Sequence, residues 1–178
     1  MSVKVPRPDP ARLVCLTSFV LALLWGCMVE AAAQQAVFLV RHAEQALVGG
    51  MMDGDPPLTE EGFKRAQALA DVLKNAGVTA IYVTQYTRSR ETADPTAKNL
   101  NLTPVVVTKD DIVSLAERLH TQHSQDTVMV VAHSDTIPAL LKLWGHPGSV
   151  QVGKTEFNGL WLVVPRQGQT PLVARLSL

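Results

Sequence analysis

Apolar residues in this chain follow two rhythms. Short uninterrupted runs, the signature of strands buried on both faces, occur at Ala36-Val37-Phe38-Leu39-Val40, Thr79 to Thr84, Val105 to Val107 and Thr127 to Ala132. Between them, apolar positions recur every three or four residues, as on one face of a helix. Phe63, Ala66, Leu69, Ala70 and Leu73 form one such stripe, with Thr59 as its cap, Glu60 and Glu61 in the first turn, and Gly77 as its stop. Arg88 to Asn99 reads as a helix interrupted early by Pro95. Asp111 to His123 and Ile137 to Trp144 read as two more, the latter with Pro138 tolerated in its first turn. Leu160 to Val164 and Leu172 to Leu176 are two final strands, joined through a polar connection of hairpin character. This alternation predicts an α/β fold: three layers, α/β/α, around a mostly parallel central sheet.

The first 33 residues follow a different pattern. Lys4, Arg7 and Arg12 make a basic start, Leu13 to Gly26 is uncharged and mostly apolar, and Ala31-Ala32-Ala33 offers small residues for cleavage. That is the three-part plan of a secretory signal. The uncharged run from Leu13 to Val29 is at the short limit for a membrane span of ~20 residues. We therefore expect a cleaved signal at 1–33, one domain at 34–178, and a periplasmic or secreted destination. Leu24-Trp25-Gly26-Cys27 loosely resembles a lipoprotein box, so a membrane association is expected only if Cys27 is lipidated.

Removal of the signal leaves 145 residues, enough for one domain with its own core. Both cysteines, Cys15 and Cys27, lie in the signal, so the domain rests on packing without a disulfide. Its 13 basic and 14 acidic residues give a charge near −1, which offers no bulk attraction to nucleic acid or anionic membrane.

The chemistry gathers where strands end. Arg41-His42-Ala43-Glu44 follows the first strand, Arg88 follows the second, and His133 follows the fourth. Open α/β sheets bind ligands at the carboxyl ends of their strands. Two arginines and two histidines there suit a phosphoryl group. A neutral imidazole can attack phosphorus, and guanidinium forks can hold the non-bridging oxygens bidentately. His42 fits the nucleophile, with Arg41, Arg88 and His133 as the substrate-binding pocket.

These residues carry a family resemblance. Arg41-His42-Ala43-Glu44, Pro57-Leu58-Thr59-Glu60-Glu61-Gly62, the element Thr84, Arg88, Thr92 and Ala93, and Val131-Ala132-His133-Ser134 match, in order, four motifs of the histidine phosphatase superfamily, the phosphoglycerate-mutase-like proteins. The resemblance implies a small phosphatase of phosphate monoesters, with a phosphohistidine on His42 and no metal or cofactor, and the signal pattern makes it an exported one. The segment that carries the acid of the larger mutases is missing. Asp111 is the preferred general acid, with Asp110, Asp135 and Glu44 as alternatives; a leaving group of low pKa, such as another phosphohistidine, needs none. Two other readings stay open: a module that binds a phosphorylated ligand without turning it over, and a protein phosphohistidine phosphatase. The substrate is expected to be small and phosphorylated, its pocket shaped by Gln45 to Pro56 and by the loop around Pro147 to Asn158.

Other features point to blander roles. Gly148 to Thr155 matches the phosphate-loop pattern in full, but that loop needs a strand before it and a helix after it. Here a strand follows. His120 and His123 could share a metal but suit the last turn of their helix, where positive charge is favoured. Arg90 is either an addition to the pocket or a solvated helix position. Trp144, Phe157 and Trp161 are read as core or rim aromatics.

Overall fold

The computed structural model describes residues 35–47, 54–166 and 168–178; the expected signal at 1–33 and its cleavage near Ala33 lie outside them. Six strands form one sheet in the order β3-β2-β4-β1-β5-β6. They are β1 (Ala36–Arg41), β2 (Val78–Thr84), β3 (Val105–Val107), β4 (Thr127–Ala132), β5 (Gly159–Val164) and β6 (Leu172–Ser177). The pairings β3–β2, β2–β4 and β4–β1 are parallel, whereas β5 and β6 join the far side antiparallel. The sheet is thus mostly parallel, with the expected hairpin at its edge.

Strand parity divides the core between the two faces. Val128 and Val130 of β4 pack with Leu39, Tyr82, Leu115, Leu119, Ile137 and Leu140. Met129 and Val131 pack with Val40, Ile81, Val83, Leu69, Leu73 and Ala93 on the opposite face. Helices α1 (Glu60–Leu73) and α2 (Thr87–Leu100) therefore cover one face, and α3 (Ile112–Gln122) and α4 (Thr136–Leu143) cover the other. This is the three-layer α/β/α arrangement that the alternation predicts.

Two local expectations are corrected. Helix α2 runs unbroken through Pro95 to Leu100 and ends in left-handed Asn101. Ala93, Thr96 and Ala97 are buried on its inner face, so tertiary packing offsets the lost hydrogen bond and clash, about 3 kcal/mol in a helix interior. Phe63 does not belong to the buried stripe of α1. It is 48% exposed, and Gly62 takes the inward position beside Ala66 and Leu69.

Candidate active site

The register of β1 and β4 sets the centre of the site. Arg41 stands opposite Ala132, and His42 N–H continues the ladder by donating to Ala132 O at 3.1 Å. The next residue on each strand is a histidine, so parallel pairing brings His42 and His133 side by side, ring centroids 5.1 Å apart. Arg88 enters from the first turn of α2. These four residues meet at an open cleft of about 340 Å³, with Tyr86, Lys109, Asp135 and Lys154 also on its walls.

The turn after His42 is anchored by the motif residues around it. Ala43 N–H donates to Thr92 Oγ1 at 2.9 Å, and that hydroxyl donates onward to Arg88 O at 2.7 Å. Thr59 N–H donates to Glu44 O at 2.8 Å, while Thr59 Oγ1 caps α1 through Gly62 N–H. A β-carbon on Gly62 would lie 2.3 Å from Glu44 O, so only glycine allows α1 to approach this turn. The Glu44 carboxylate is taken up in a bidentate pair with Arg65 at 2.6–2.9 Å. Glu44 is a structural anchor.

His42 has a defined tautomer. Its Nδ1 lies 2.8 Å from Ala43 O, and a carbonyl can only accept, so Nδ1 carries the proton and Nε2 keeps its lone pair. Burial pushes its pKa down to about 4, and the Arg41 and Arg88 charges add to the shift. Burial likewise pushes His133 down to about 3, with His42 and Arg88 contributing. Both rings are neutral near pH 7.

His133 Nε2 lies 2.9 Å from Thr84 Oγ1, which lies 2.6 Å from Ser89 Oγ. All three side chains are buried. Nε2 is thus engaged behind the ring, leaving Nδ1 to serve the cleft. Thr84 is legible in the sequence as a motif position, whereas Ser89 is not. Its only signal is a position next to Arg88, one helical turn before Thr92.

The two guanidinium groups are held alike. Arg41 Nη1 donates to the carbonyls of Gly153, Lys154 and Glu156 at 2.8–3.0 Å, and its carbon sits 4.0 Å from the Phe157 ring centroid. Arg88 Nη1 donates to Gly54 O at 3.3 Å, and its carbon sits 4.1 Å from the Tyr86 centroid. In both, Nε is buried and has no hydrogen-bond partner among the described residues. Burial lowers both pKa values, yet a guanidinium stays charged. In each arginine the Nε–Nη2 edge is thus the one not tied to a loop carbonyl, and such an edge is a planar fork that matches phosphate.

The structure does not bring Asp111 to the cleft. Its carboxylate caps α3 through Ser114 N–H, and it lines a separate cavity with Val106 and Arg118. The residue that the β3–α3 turn sends into the cleft is Lys109, whose Nζ lies 2.5 Å from Asp135 Oδ2. Burial favours the protonated form of Asp135, but the bond to Lys109 outweighs it and holds the carboxyl below its ordinary value. Asp135 is the carboxylate on the cleft wall, and it is paired and ionised.

The remaining motifs take structural places. Gly148 to Thr155 is irregular and leads through Phe157 into β5, with no helix after it to cradle a nucleotide phosphate. Its carbonyls hold Arg41 instead. His123 bridges Tyr82 Oη at 2.9 Å and Asp126 at 2.7 Å, closing the end of α3. His120 is exposed, and so is Arg90, which bonds back to Gln85 O.

The chain is similar to known proteins in part of its sequence and in fold. The family model of the histidine phosphatase superfamily (branch 1) matches residues 37–112. No curated protein gives a significant match. Among solved structures, the chain is similar to the protein histidine phosphatase SixA complexed with tungstate. The two share 21% identity over 80% of this chain and 96% of that one, with a TM-score of 0.66. It is also similar to a mycobacterial glucosyl-3-phosphoglycerate phosphatase in complex with VO3. That identity is 17%, covering 82% of this chain and 98% of the other, with a TM-score of 0.62. At these identities the structural likeness establishes the shared fold.

Proposed function

The chain belongs to the histidine phosphatase superfamily, and we propose that it hydrolyses small phosphorylated substrates through a phosphohistidine formed on His42. The observation that carries this reading is the free Nε2 of a neutral His42, held beside His133 between two guanidinium forks. The arginine edges bind the non-bridging oxygens and align phosphorus with Nε2. As Nε2 attacks, a P–N bond forms and the bond to the leaving atom breaks, its electron pair departing with the leaving group. His133 Nδ1–H stabilises the charge that builds on phosphoryl oxygen. Water then attacks phosphorus, the P–N bond breaks, and orthophosphate leaves with Nε2 restored. No step calls on a metal, since the arginines supply the positive charge.

Leaving-group chemistry follows from Asp135. An ionised carboxylate bound to Lys109 is a poor proton donor. The site therefore favours groups that depart without an acid: aryl phosphates, acyl phosphates and phosphorylated imidazoles. The last class includes phosphohistidine, so a protein phosphohistidine phosphatase is the second reading. From the signal-like pattern of residues 1–33 we also propose export to the periplasm or beyond, and a mature N-terminus near Gln34 in the exported fraction tests it.

The deciding experiment is hydrolysis of p-nitrophenyl phosphate in EDTA by the wild-type protein and by His42→Ala. Turnover that survives the chelator and vanishes in the variant, with an acid-labile phosphoryl group trapped on the wild type, is the expected result. Full activity in His42→Ala overturns the proposal. Phosphate binding without turnover of aryl phosphates, acyl phosphates or phosphorylated imidazoles assigns a binding module instead.

A further inference from the structure

Two aromatic rings stand in equivalent positions around the cleft, and neither belongs to the four motifs. Phe157, on the approach to β5, has the Arg41 guanidinium carbon over its ring at 4.0 Å and also meets the His42 ring at 6.0 Å. Tyr86, between β2 and α2, lies against Arg88 at 4.1 Å and meets the His133 ring edge-on at 5.4 Å. Each aromatic thus meets one arginine and one histidine, and the two pairs together are the four residues proposed to hold and attack the phosphoryl group. We propose that Phe157 and Tyr86 are positioning residues, each locking an arginine–histidine pair so that the guanidinium edge and the imidazole address the same phosphoryl group.

Arginine side chains lose much rotamer freedom when fixed, and a binding site that must freeze them on contact loses affinity. Here each guanidinium is already held at two points. Nη1 is tied to loop carbonyls, and the guanidinium carbon sits over a ring, an attraction that strengthens where water is excluded. Those contacts leave one edge of each fork unused, with its Nε buried. The same rings cover the histidines. Phe157 withholds water from His42, and Tyr86 does so for His133, which keeps the imidazoles neutral and fixed in orientation. Simple filling of space would require neither the cation-facing geometry nor its repetition across two segments remote in sequence.

The inference rests on the cleft being a phosphate site, so its test reads binding and titration as well as turnover. The full-length protein and its Phe157→Leu, Phe157→Tyr, Tyr86→Leu and Tyr86→Phe variants are compared for orthophosphate binding by calorimetry and for His42 titration by NMR. Leucine keeps apolar bulk but removes the ring. We expect each Leu variant to bind phosphate about tenfold more weakly with a thermal midpoint near wild type. Each conservative aromatic variant should restore affinity. Phe157→Leu should also raise the His42 pKa from about 4 towards its ordinary value, because water reaches the ring. Unchanged phosphate affinity in both folded Leu variants overturns the proposal, as does a loss that tyrosine at 157 and phenylalanine at 86 fail to restore. A wild-type protein that binds no phosphate overturns the functional reading itself, which separates the two failures.

Discussion

His42 and His133 leave adjacent parallel strands at the same level, and their ring centroids come to rest 5.1 Å apart. Two rings so close, both buried and flanked by arginines, cannot readily take up protons together. The folded protein holds His42 at about 4 and His133 at about 3, both below the ordinary 6.5.

Linkage gives the sign of the stability effect. Below pH 6.5 the unfolded chain protonates these histidines while the folded chain does not, so stability falls as pH drops towards 4. The contribution is intact above 6.5. The His42 shift alone corresponds to about 3 kcal/mol. Urea midpoints are expected to decline between pH 6.5 and 4, and less steeply in His42→Gln. Equal slopes in the two proteins would show that His42 is not held neutral.

The hydroxyl pair behind His133 is expected to set its tautomer. If Ser89 donates to Thr84 and Thr84 donates to Nε2, the imidazole proton is left on Nδ1, facing the cleft. Thr84→Val removes the donor without changing volume much. It is expected to lower kcat by about 10–100-fold with a smaller change in KM, and to shift the His133 ¹⁵N resonances towards the other tautomer. An unmoved spectrum together with full kcat would place the pair outside the mechanism.

Arg88 is fixed by Tyr86 and by Gly54 O, and its remaining edge is the fork. Lysine keeps the charge but offers neither the flat face nor paired donors. Arg88→Lys is expected to reduce kcat/KM by about 100-fold, in line with losing a charge-assisted bidentate contact. Unchanged kinetics would remove Arg88 from the site.

Lys109 holds Asp135 in its ionised form. Lys109→Met frees that carboxyl, so its pKa rises and it becomes able to donate a proton. The expected outcome is a higher ratio of alkyl to aryl phosphate hydrolysis, greatest at acid pH. A constant ratio across pH 4–7 would mean that Asp135 cannot reach the leaving group.

Gly62 lies where a β-carbon would meet Glu44 O at 2.3 Å. Gly62→Ala is expected to cost about 1–3 kcal/mol through overpacking and to disturb the turn that carries His42. Thermal denaturation beside p-nitrophenyl phosphate hydrolysis measures both. A variant as stable and as active as wild type would show that α1 can move aside at no cost.

The sequence by itself determined the layer architecture and pointed to the four residues that meet at the cleft. Buried strands must be apolar on both faces, and helices must carry one apolar stripe, so both rhythms are written along the chain. Arg41, His42, Arg88 and His133 were legible because local order decides which residues follow a strand. The tertiary structure alone decided what those residues do for one another. Pairing of β1 with β4 joins positions 91 residues apart and sets the two histidines at one level. At the turn between β3 and α3, Lys109 reaches the cleft while Asp111, two residues later, is taken up as the cap of α3. Phe157 read in sequence only as a core or rim aromatic, and Ser89 carried no signal beyond its place next to Arg88, because a ring over a guanidinium and a hydroxyl behind an imidazole are contacts between remote segments. Such contacts exist only once the sheet has closed, and no local spacing records them.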